Sequence, residues 1–405
     1  MEPPIEEPAD APRPLPHTWE EARALAYGVA QPLPAHDVPL AQAAGRKLAA
    51  DVHSLHAMPH YASSAMDGWA VAGSPPWILA EPGRSLSPGQ AVPVVTGGLI
   101  PAGAKAVLRS ESGTLCTDDD GLPVLVRNGA ARPGEPKNGQ HIRPAGQEAA
   151  AGELLVKAGV RLNPAHLALA ALGGLDFLSV LGRPAVSLVL TGDEVVSSGI
   201  PDPGHVRDAF SPQLGGVVEA LGGSVVGLQR AGDSLPSMLD ALADFDDDPA
   251  DVVITTGATG HSRVDFLRPA LRQMGATLHI DGIAMRPGHP TLLAELPDGR
   301  FVVGLPGNPL AAMTSLISIG APLLARLASL PMPATVEMVC GSPVKEYHGP
   351  TRLMPYRLLY GLASPCAFTD SAMMRGLAAA DGIMVVPPHG AKMGETLTAF
   401  GLPWA

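Results

Sequence analysis

Apolar and polar positions change rhythm several times along the 405 residues. Val252, Val253 and Ile254 form a β-branched run that reads as a strand buried on both faces. Small residues from Thr255 to Gly260 interrupt it. From about Arg263 onward Val264, Leu267, Leu271 and Met274 recur at helical spacing. The same alternation of strand and helix runs through 184–328. It predicts strands at 185–190, 224–229, 251–255, 278–285 and 300–304, and helices at 212–221, 235–244, 263–274 and 309–320. That is the pattern of a doubly wound α/β sheet. Between about Val52 and Gln140 the texture is different: short strands such as WAVAG and KAVLRSE alternate with Pro/Gly turns, as in an all-β module of barrel type. His17 to Ala30 reads as a helix opened by a Thr18-Trp19-Glu20-Glu21 capping box, and Asn163-Pro164 opens another that ends at Gly173-Gly174.

These textures divide the chain. Residues 1–16 read as a disordered leader, and 17–52 with 142–178 as a mostly helical linking domain that an inserted β domain, 53–141, interrupts. An α/β domain follows over 179–329. Residues 330–405 return to short strands and turns, a small C-terminal β domain.

Composition narrows the function. Aromatic residues make up 4%, against 46 glycines and 43 prolines, which fits many tight turns beside the α/β unit. A formal charge of −12 argues against wholesale nucleic-acid binding, so an anionic ligand would rely on local cations and backbone dipoles. Cys116, Cys340 and Cys366 are far apart, make no metal pattern and fit a reducing compartment. The acidic, Pro-rich start does not resemble a signal peptide. The most apolar stretches, 164–181 and 309–330, are broken by His166, Asp176, Pro322 and Arg326, so a cytoplasmic protein without a membrane span is expected.

The candidate chemistry follows the strands of the α/β segment, where open sheets bind ligands. Thr255–Gly260 and Gly304-Leu305-Pro306-Gly307-Asn308-Pro309 are strand–loop–helix turns of the kind that offer backbone N–H groups to an anion. Asp193 and Glu194 directly follow a strand, where adjacent carboxylates suit Mg²⁺ beside phosphates. Asp233 follows another strand, and Asp265 falls in the first turn of the expected helix. Each acid alone also suits a solvated loop start or a helix cap. Their convergence on one edge is what favours a cation. Arg286-Pro287-Gly288-His289-Pro290 sets a cation and an imidazole in a rigid turn suited to an oxyanion.

SSAMDGWAV (63–71), VTGGLIPAGAKAVLRSE (95–111), IRPAGQEAAAG (142–152), LTGDEV (190–195), DVVITTGATGHSRVD (251–265), AMRPGHP (284–290) and GLPGNP (304–309) occur in series. Together they resemble the molybdopterin molybdenumtransferases, the MoeA and gephyrin E-domain family. The resemblance implies a four-domain, homodimeric subunit whose α/β domain is related to the molybdopterin adenylyltransferases. It also implies the last step of molybdenum cofactor synthesis, in which adenylylated molybdopterin and molybdate give the cofactor and AMP with a divalent cation, taken as Mg²⁺. Further partners would be cofactor-synthesis enzymes or apo-molybdoenzymes.

By motif match, Asp193 and Glu194 would hold the metal, and Asp233 and Asp265 the nucleotide-phosphate region. Gly257, Gly260, Pro306, Gly307 and Asn308 would line the pterin-nucleotide pocket. Asp67 and Thr96 would reach in from a partner subunit, and Arg357 and Ser371 would face the cleft from the C-terminal domain. Arg286 and His289 stand where the family carries two lysines thought to hold molybdate. Gly257-Ala258-Thr259-Gly260-His261-Ser262 replaces the usual GGVSxG, Asp208-Ala209-Phe210 replaces D-S/T-N, and Gly146-Gln147-Glu148-Ala149 replaces GEDI. Two competing readings accompany these departures: a paralogue that holds molybdopterin or its nucleotide without inserting metal, and an adenylyltransferase suggested by the TTGATG loop.

Overall fold

The structure is a computed structural model and describes residues 16–118, 121–243, 250–257, 259 and 265–404. It divides into two compact units. One is Ala35–Leu181; the other joins the chain up to Pro34 with Gly182 onward.

The Ala35–Leu181 unit is built on a six-stranded sheet in the order Ala106–Arg109, Gly68–Ala72, Gln90–Val94, Trp77–Leu79, Pro123–Arg127, Gly113–Thr117. All its pairings are antiparallel except that of Trp77–Leu79 with Gln90–Val94. Alternate residues supply two apolar clusters, one around Val71, Trp77 and Leu108 and one around Ala70, Ala72 and Val92, as a period-two pattern requires. Beside the sheet, His36–Pro39 pairs with Phe177–Val180, and the helix Pro164–Leu172 is capped by Asn163 through a reciprocal bond with His166. Glu135, 3% exposed, accepts hydrogen bonds from Arg109 Nε at 2.8 Å, Arg109 Nη2 at 3.2 Å and the Arg132 N–H at 2.9 Å.

In the other unit a six-stranded sheet carries the α/β architecture. Its strands are β1 (Ala185–Thr191), β2 (Ser224–Ala231), β3 (Val252–Thr256), β4 (Thr277–Asp281), β5 (Leu292–Glu295) and β6 (Phe301–Leu305), in the order β2-β1-β3-β6-β5-β4. The pairs β1–β2, β1–β3 and β3–β6 are parallel, whereas β5 is antiparallel to both its neighbours. Every residue of β3 is buried, because helices cover both faces. Val252 and Ile254 pack with the layer of Ser211–Ala220 and Pro309–Leu327, and Val253 with that of Leu235–Ala243 and Leu267–Gln273. Each such side chain contributes about 1.5–3 kcal/mol.

Several sequence expectations change here. The run expected as one strand, 278–285, is two: β4 ends at Asp281, and Met285–Arg286 pairs in parallel with Thr351–Arg352 of the C-terminal sheet. The helix expected from 263 spans Leu267–Gln273, so Asp265 precedes it rather than sitting in its first turn, and 260–264 lie outside the described residues. The helical run from Pro309 continues past 320 to Leu327, passing through a π segment at Leu316–Gly320 just before Pro322, which has no N–H to give. That helix is long and apolar enough to cross a membrane despite Pro322 and Arg326, yet it is 94% buried within the protein.

Trp19–Gly28 forms with both capping-box hydrogen bonds in place. It packs on Ala321–Leu327 and therefore goes with the α/β layers, not with the segment that follows it. The anchor is Trp19, 2% exposed. Its indole N–H donates to Ser318 Oγ at 2.9 Å, and its ring stacks on Phe400 at 5.4 Å. Arg23 lies over both rings, and burial lowers its pKa to about 10.

The C-terminal sheet runs Met285–Arg286, Thr351–Leu359, Gly382–Val386, Thr396–Gly401, Val336–Val339, with Leu362–Pro365 also paired to Thr351–Leu359.

The clamp on Glu135 gives a pH signature. The Arg109 hydrogen bonds hold its pKa at about 2, below the ordinary 4.5. A depressed carboxylate pKa stabilises fully above the unfolded value, and the gain disappears as pH falls from about 5 towards 2. Glu135→Gln should lower stability by about 2 kcal/mol at pH 7, and the gap to wild type should close across that window in denaturant titrations.

Candidate active site

The parallel strands point the same way, so the loops after β1, β2, β3 and β6 meet at one edge of the sheet. They enclose a cavity of about 690 Å³. Glu194, Asp233 and Asp265 line it, opposite Gly257, Gly307 and Asn308. The Asp193 backbone N–H donates to Asp233 Oδ2 at 3.2 Å, which ties the first acidic loop to the second. The Thr191 hydroxyl donates to the Thr256 carbonyl at 2.5 Å, and the Gly257 N–H to the Leu305 carbonyl at 2.9 Å. Gly257 has φ +77°, which favours glycine at the point where the chain leaves β3. The Thr256 hydroxyl is buried in the wall without a hydrogen-bond partner among the described residues.

Asp208 also lines this cavity but is already satisfied. Arg230, the Ser211 hydroxyl and the backbone N–H groups of Phe210 and Ser211 all donate to it, and the hydrogen bonds of the helix start help lower its pKa against the effect of burial. Its charge is therefore compensated and does not oppose an anion.

A second cavity, about 610 Å³, shares Pro290, Pro306 and Asn308 with the first. Its character is cationic. Arg286 and Arg352 are Cα partners in the parallel pairing, so their side chains share a face. Both guanidinium groups approach the Tyr347 ring, at 5.8 and 5.5 Å. Arg352 Nη2 donates to the Lys345 carbonyl, while its Nε is buried with no partner among the described residues. Burial lowers the Arg352 pKa. His289 Nδ1 lies 2.8 Å from the Ile283 carbonyl, so Nδ1 carries the hydrogen and Nε2 is the nitrogen left for a ligand. Asn308 does not cap its helix with its side chain. Its Nδ2 donates to Ser371 Oγ at 3.2 Å, and the Ala311 N–H donates to the Ser371 carbonyl.

The sheet edge thus gathers Glu194, Asp233, Asp265, Gly257, Pro306, Gly307 and Asn308 at the first cavity, with Asp193 bonded beside them. Arg286, His289 and Ser371 gather at the second. Gly260, like Ala258 and the His261-Ser262 departure, lies outside the described residues. Asp67 and Thr96 belong to the Ala35–Leu181 unit, where Thr96 donates to Asp67 Oδ1 from its N–H at 2.7 Å and its hydroxyl at 3.0 Å. Those two bonds hold the Asp67 carboxyl below the ordinary range.

Arg357 is exposed and lines neither of these two cavities, whereas Arg352, on the same strand, lines the second. The reason is strand periodicity, since residues five apart on Thr351–Leu359 face opposite sides. Tyr347 was also missed and carries no local signal, because it lies in a loop.

A divalent cation fits the first cavity only in part. Among the described residues no three His, Cys, Asp or Glu side chains converge as a metal site. Carboxylates from two loops would leave the remaining positions to phosphate oxygens and water, which is how Mg²⁺ is usually held.

Comparison with known proteins gives the same picture from another direction. Residues 17–174 match the MoeA N-terminal region (domain I and II), and 187–326 match the probable molybdopterin binding domain. A molybdopterin molybdenumtransferase of Nostoc sp. is 31% identical over 313 residues, 72% of this chain and 69% of that one. Molybdopterin molybdenumtransferase 2 of Mycobacterium tuberculosis is 33% identical over 319 residues, 73% and 76% of the two chains. The molybdopterin biosynthesis MoeA protein of Pyrococcus horikosii shares the fold, with a TM-score of 0.69 at 24% identity over 95% of this chain and 98% of that one. The chain belongs to the molybdopterin molybdenumtransferase family.

Proposed function

We propose that the chain inserts molybdenum into adenylylated molybdopterin and releases AMP, binding the nucleotide end in the first cavity and molybdate in the second. The observation that carries this reading is the junction of an acid-lined and an arginine-lined cavity through Pro306 and Asn308. Phosphates and a cation suit the first; a tetrahedral oxyanion suits the second, where a buried Arg352 Nε waits for an acceptor. The relatives described carry the transferase name, and nothing in them favours the adenylyltransferase or binding-only readings.

Asp193 and Glu194 would hold Mg²⁺, leaving its remaining positions to phosphate oxygens and water. When bound, the ion supplies charge neutralisation at the phosphoanhydride and orients it. The protein's own part is positioning. Gly257 and the Gly307-Asn308 turn present backbone to the nucleotide. Arg286 and Arg352 hold the oxyanion in the pocket that His289 also lines, and the Asn308–Ser371 bond fixes the sill between the two pockets. Both substrates are thereby held in one orientation before reaction. Asp67 and Thr96 would enter from a second copy of the chain in a homodimer. The cysteines at 116, 340 and 366 are unpaired, which supports a reducing, cytoplasmic setting.

Asp193→Ala and Glu194→Ala should each cut molybdate-dependent AMP release by at least about a hundredfold; unchanged release would remove them from the site. Arg352→Ala should raise the molybdate concentration for half-maximal AMP release by about tenfold or more and leave the KM for adenylylated molybdopterin nearly constant. His289→Lys should lower that molybdate concentration. Mixing Asp67→Ala with Glu194→Ala subunits should restore part of the activity that neither variant has alone, since one shared site would be intact; no recovery would argue against a site built from two copies.

A further inference from the structure

Among the described residues of the loop that leaves β3, Thr259 is clamped from behind. Thr259 lines the first cavity and is 2% exposed. Its methyl side packs over Gly304 of β6, where an added Cβ would lie 3.0 Å from Thr259 Cγ2 and 2.7 Å from Leu267 and Leu292 side-chain atoms. Its carbonyl accepts a hydrogen bond from Arg268 Nη1. Arg268 is 7% exposed and stands on the helix that follows the loop. It is held in turn by Asp281 at the end of β4, with Nε at 2.7 Å and Nη2 at 2.6 Å from Oδ1.

We infer that Arg268, oriented by Asp281, is a positioning residue that fixes Thr259 and so shapes the first cavity for the nucleotide–phosphate end of the substrate. This rests on the transferase reading and extends it to residues that touch no substrate. Two physical effects act together. A peptide carbonyl at an anion site presents its negative end, and engaging it with a guanidinium neutralises that end. The guanidinium is buried, so its bonds to Asp281 and to the Thr259 carbonyl help compensate its charge, and loss of the Asp281 bond weakens its hold on Thr259. The clamp acts on a residue that lines the first cavity, so its effect falls on the nucleotide end rather than on molybdate.

A lysine at 268 retains the charge but not the planar fork that reaches two acceptors at once. The test measures steady-state AMP release and, separately, equilibrium binding of adenylylated molybdopterin by its pterin fluorescence, for wild type, Arg268→Ala, Arg268→Lys and Asp281→Asn. The expected result is a KM and a Kd for adenylylated molybdopterin raised about tenfold or more in Arg268→Ala. The increase should be smaller in Asp281→Asn and partly relieved in Arg268→Lys, with kcat and the molybdate dependence within about threefold of wild type. If Arg268→Ala does not fold, the lysine and Asp281→Asn variants carry the same comparison. Folded variants with unchanged Kd overturn the proposal, as does a fall in kcat that tracks lowered melting temperature while KM stays constant. A wild type that binds the nucleotide but releases no AMP defeats the transferase reading instead, and the Kd series still decides the role of Arg268.

Discussion

The pairing of two residues with two others decides where chemistry can occur in this unit. Met285–Arg286 leaves the α/β layer and joins the edge of the C-terminal sheet in parallel with Thr351–Arg352. Four residues in register are a small contact energetically, but the register is what matters. A one-residue slip would turn Arg286 or Arg352 to the other face. As it stands the two guanidinium groups share one wall and both approach the Tyr347 ring, and the cationic cavity depends on this pairing at the edge of the C-terminal sheet. The acidic cavity, in contrast, follows from the α/β sheet alone, because it needs only parallel strands ending together.

That difference explains how much could be read from the residues. The capping box at Thr18, the β-branched run of β3 and the small-residue loops after β3 and β6 act through neighbours in sequence, so their pattern carries their structure. The acidic loops were legible for the same reason: each immediately follows a strand. β5 is defined by partners close in the chain, since Asp281 pairs with Leu292 and Glu295 with Phe301, and its signal was the Pro297-Asp298-Gly299 turn of a local hairpin. Two further features depend on contacts distant in sequence and left little trace. Arg352 and Arg357 differ in the face of one strand, which the bare motif does not register. Trp19–Gly28 is an ordinary amphipathic helix by composition, and its partner is decided by Ser318 and Phe400.

Charge at the sheet edge is sorted rather than accumulated. Of the carboxylates near the first cavity, Asp208 is saturated by four donors and Asp281 is committed to Arg268. Glu194, Asp233 and Asp265 are the acids that both line the space and sit on loops that follow strands. In a chain of net charge −12, such pairing keeps most of the negative field away from a site that must admit phosphate and an oxyanion.

The helix Pro309–Leu327 has the length and hydropathy of a bilayer span; the α/β sheet covers one side of it, and Trp19, with Phe400 stacked on it, lies against it at Ser318. During synthesis the ribosome releases this segment well before the residue that completes its cover. For that interval the chain carries a greasy helix open to chaperones, to bilayers and to copies of itself. Yield in a cell should therefore be governed by how quickly the last residues dock as much as by the stability of the finished fold, and truncation near Phe400 would be read by quality control as an exposed membrane anchor.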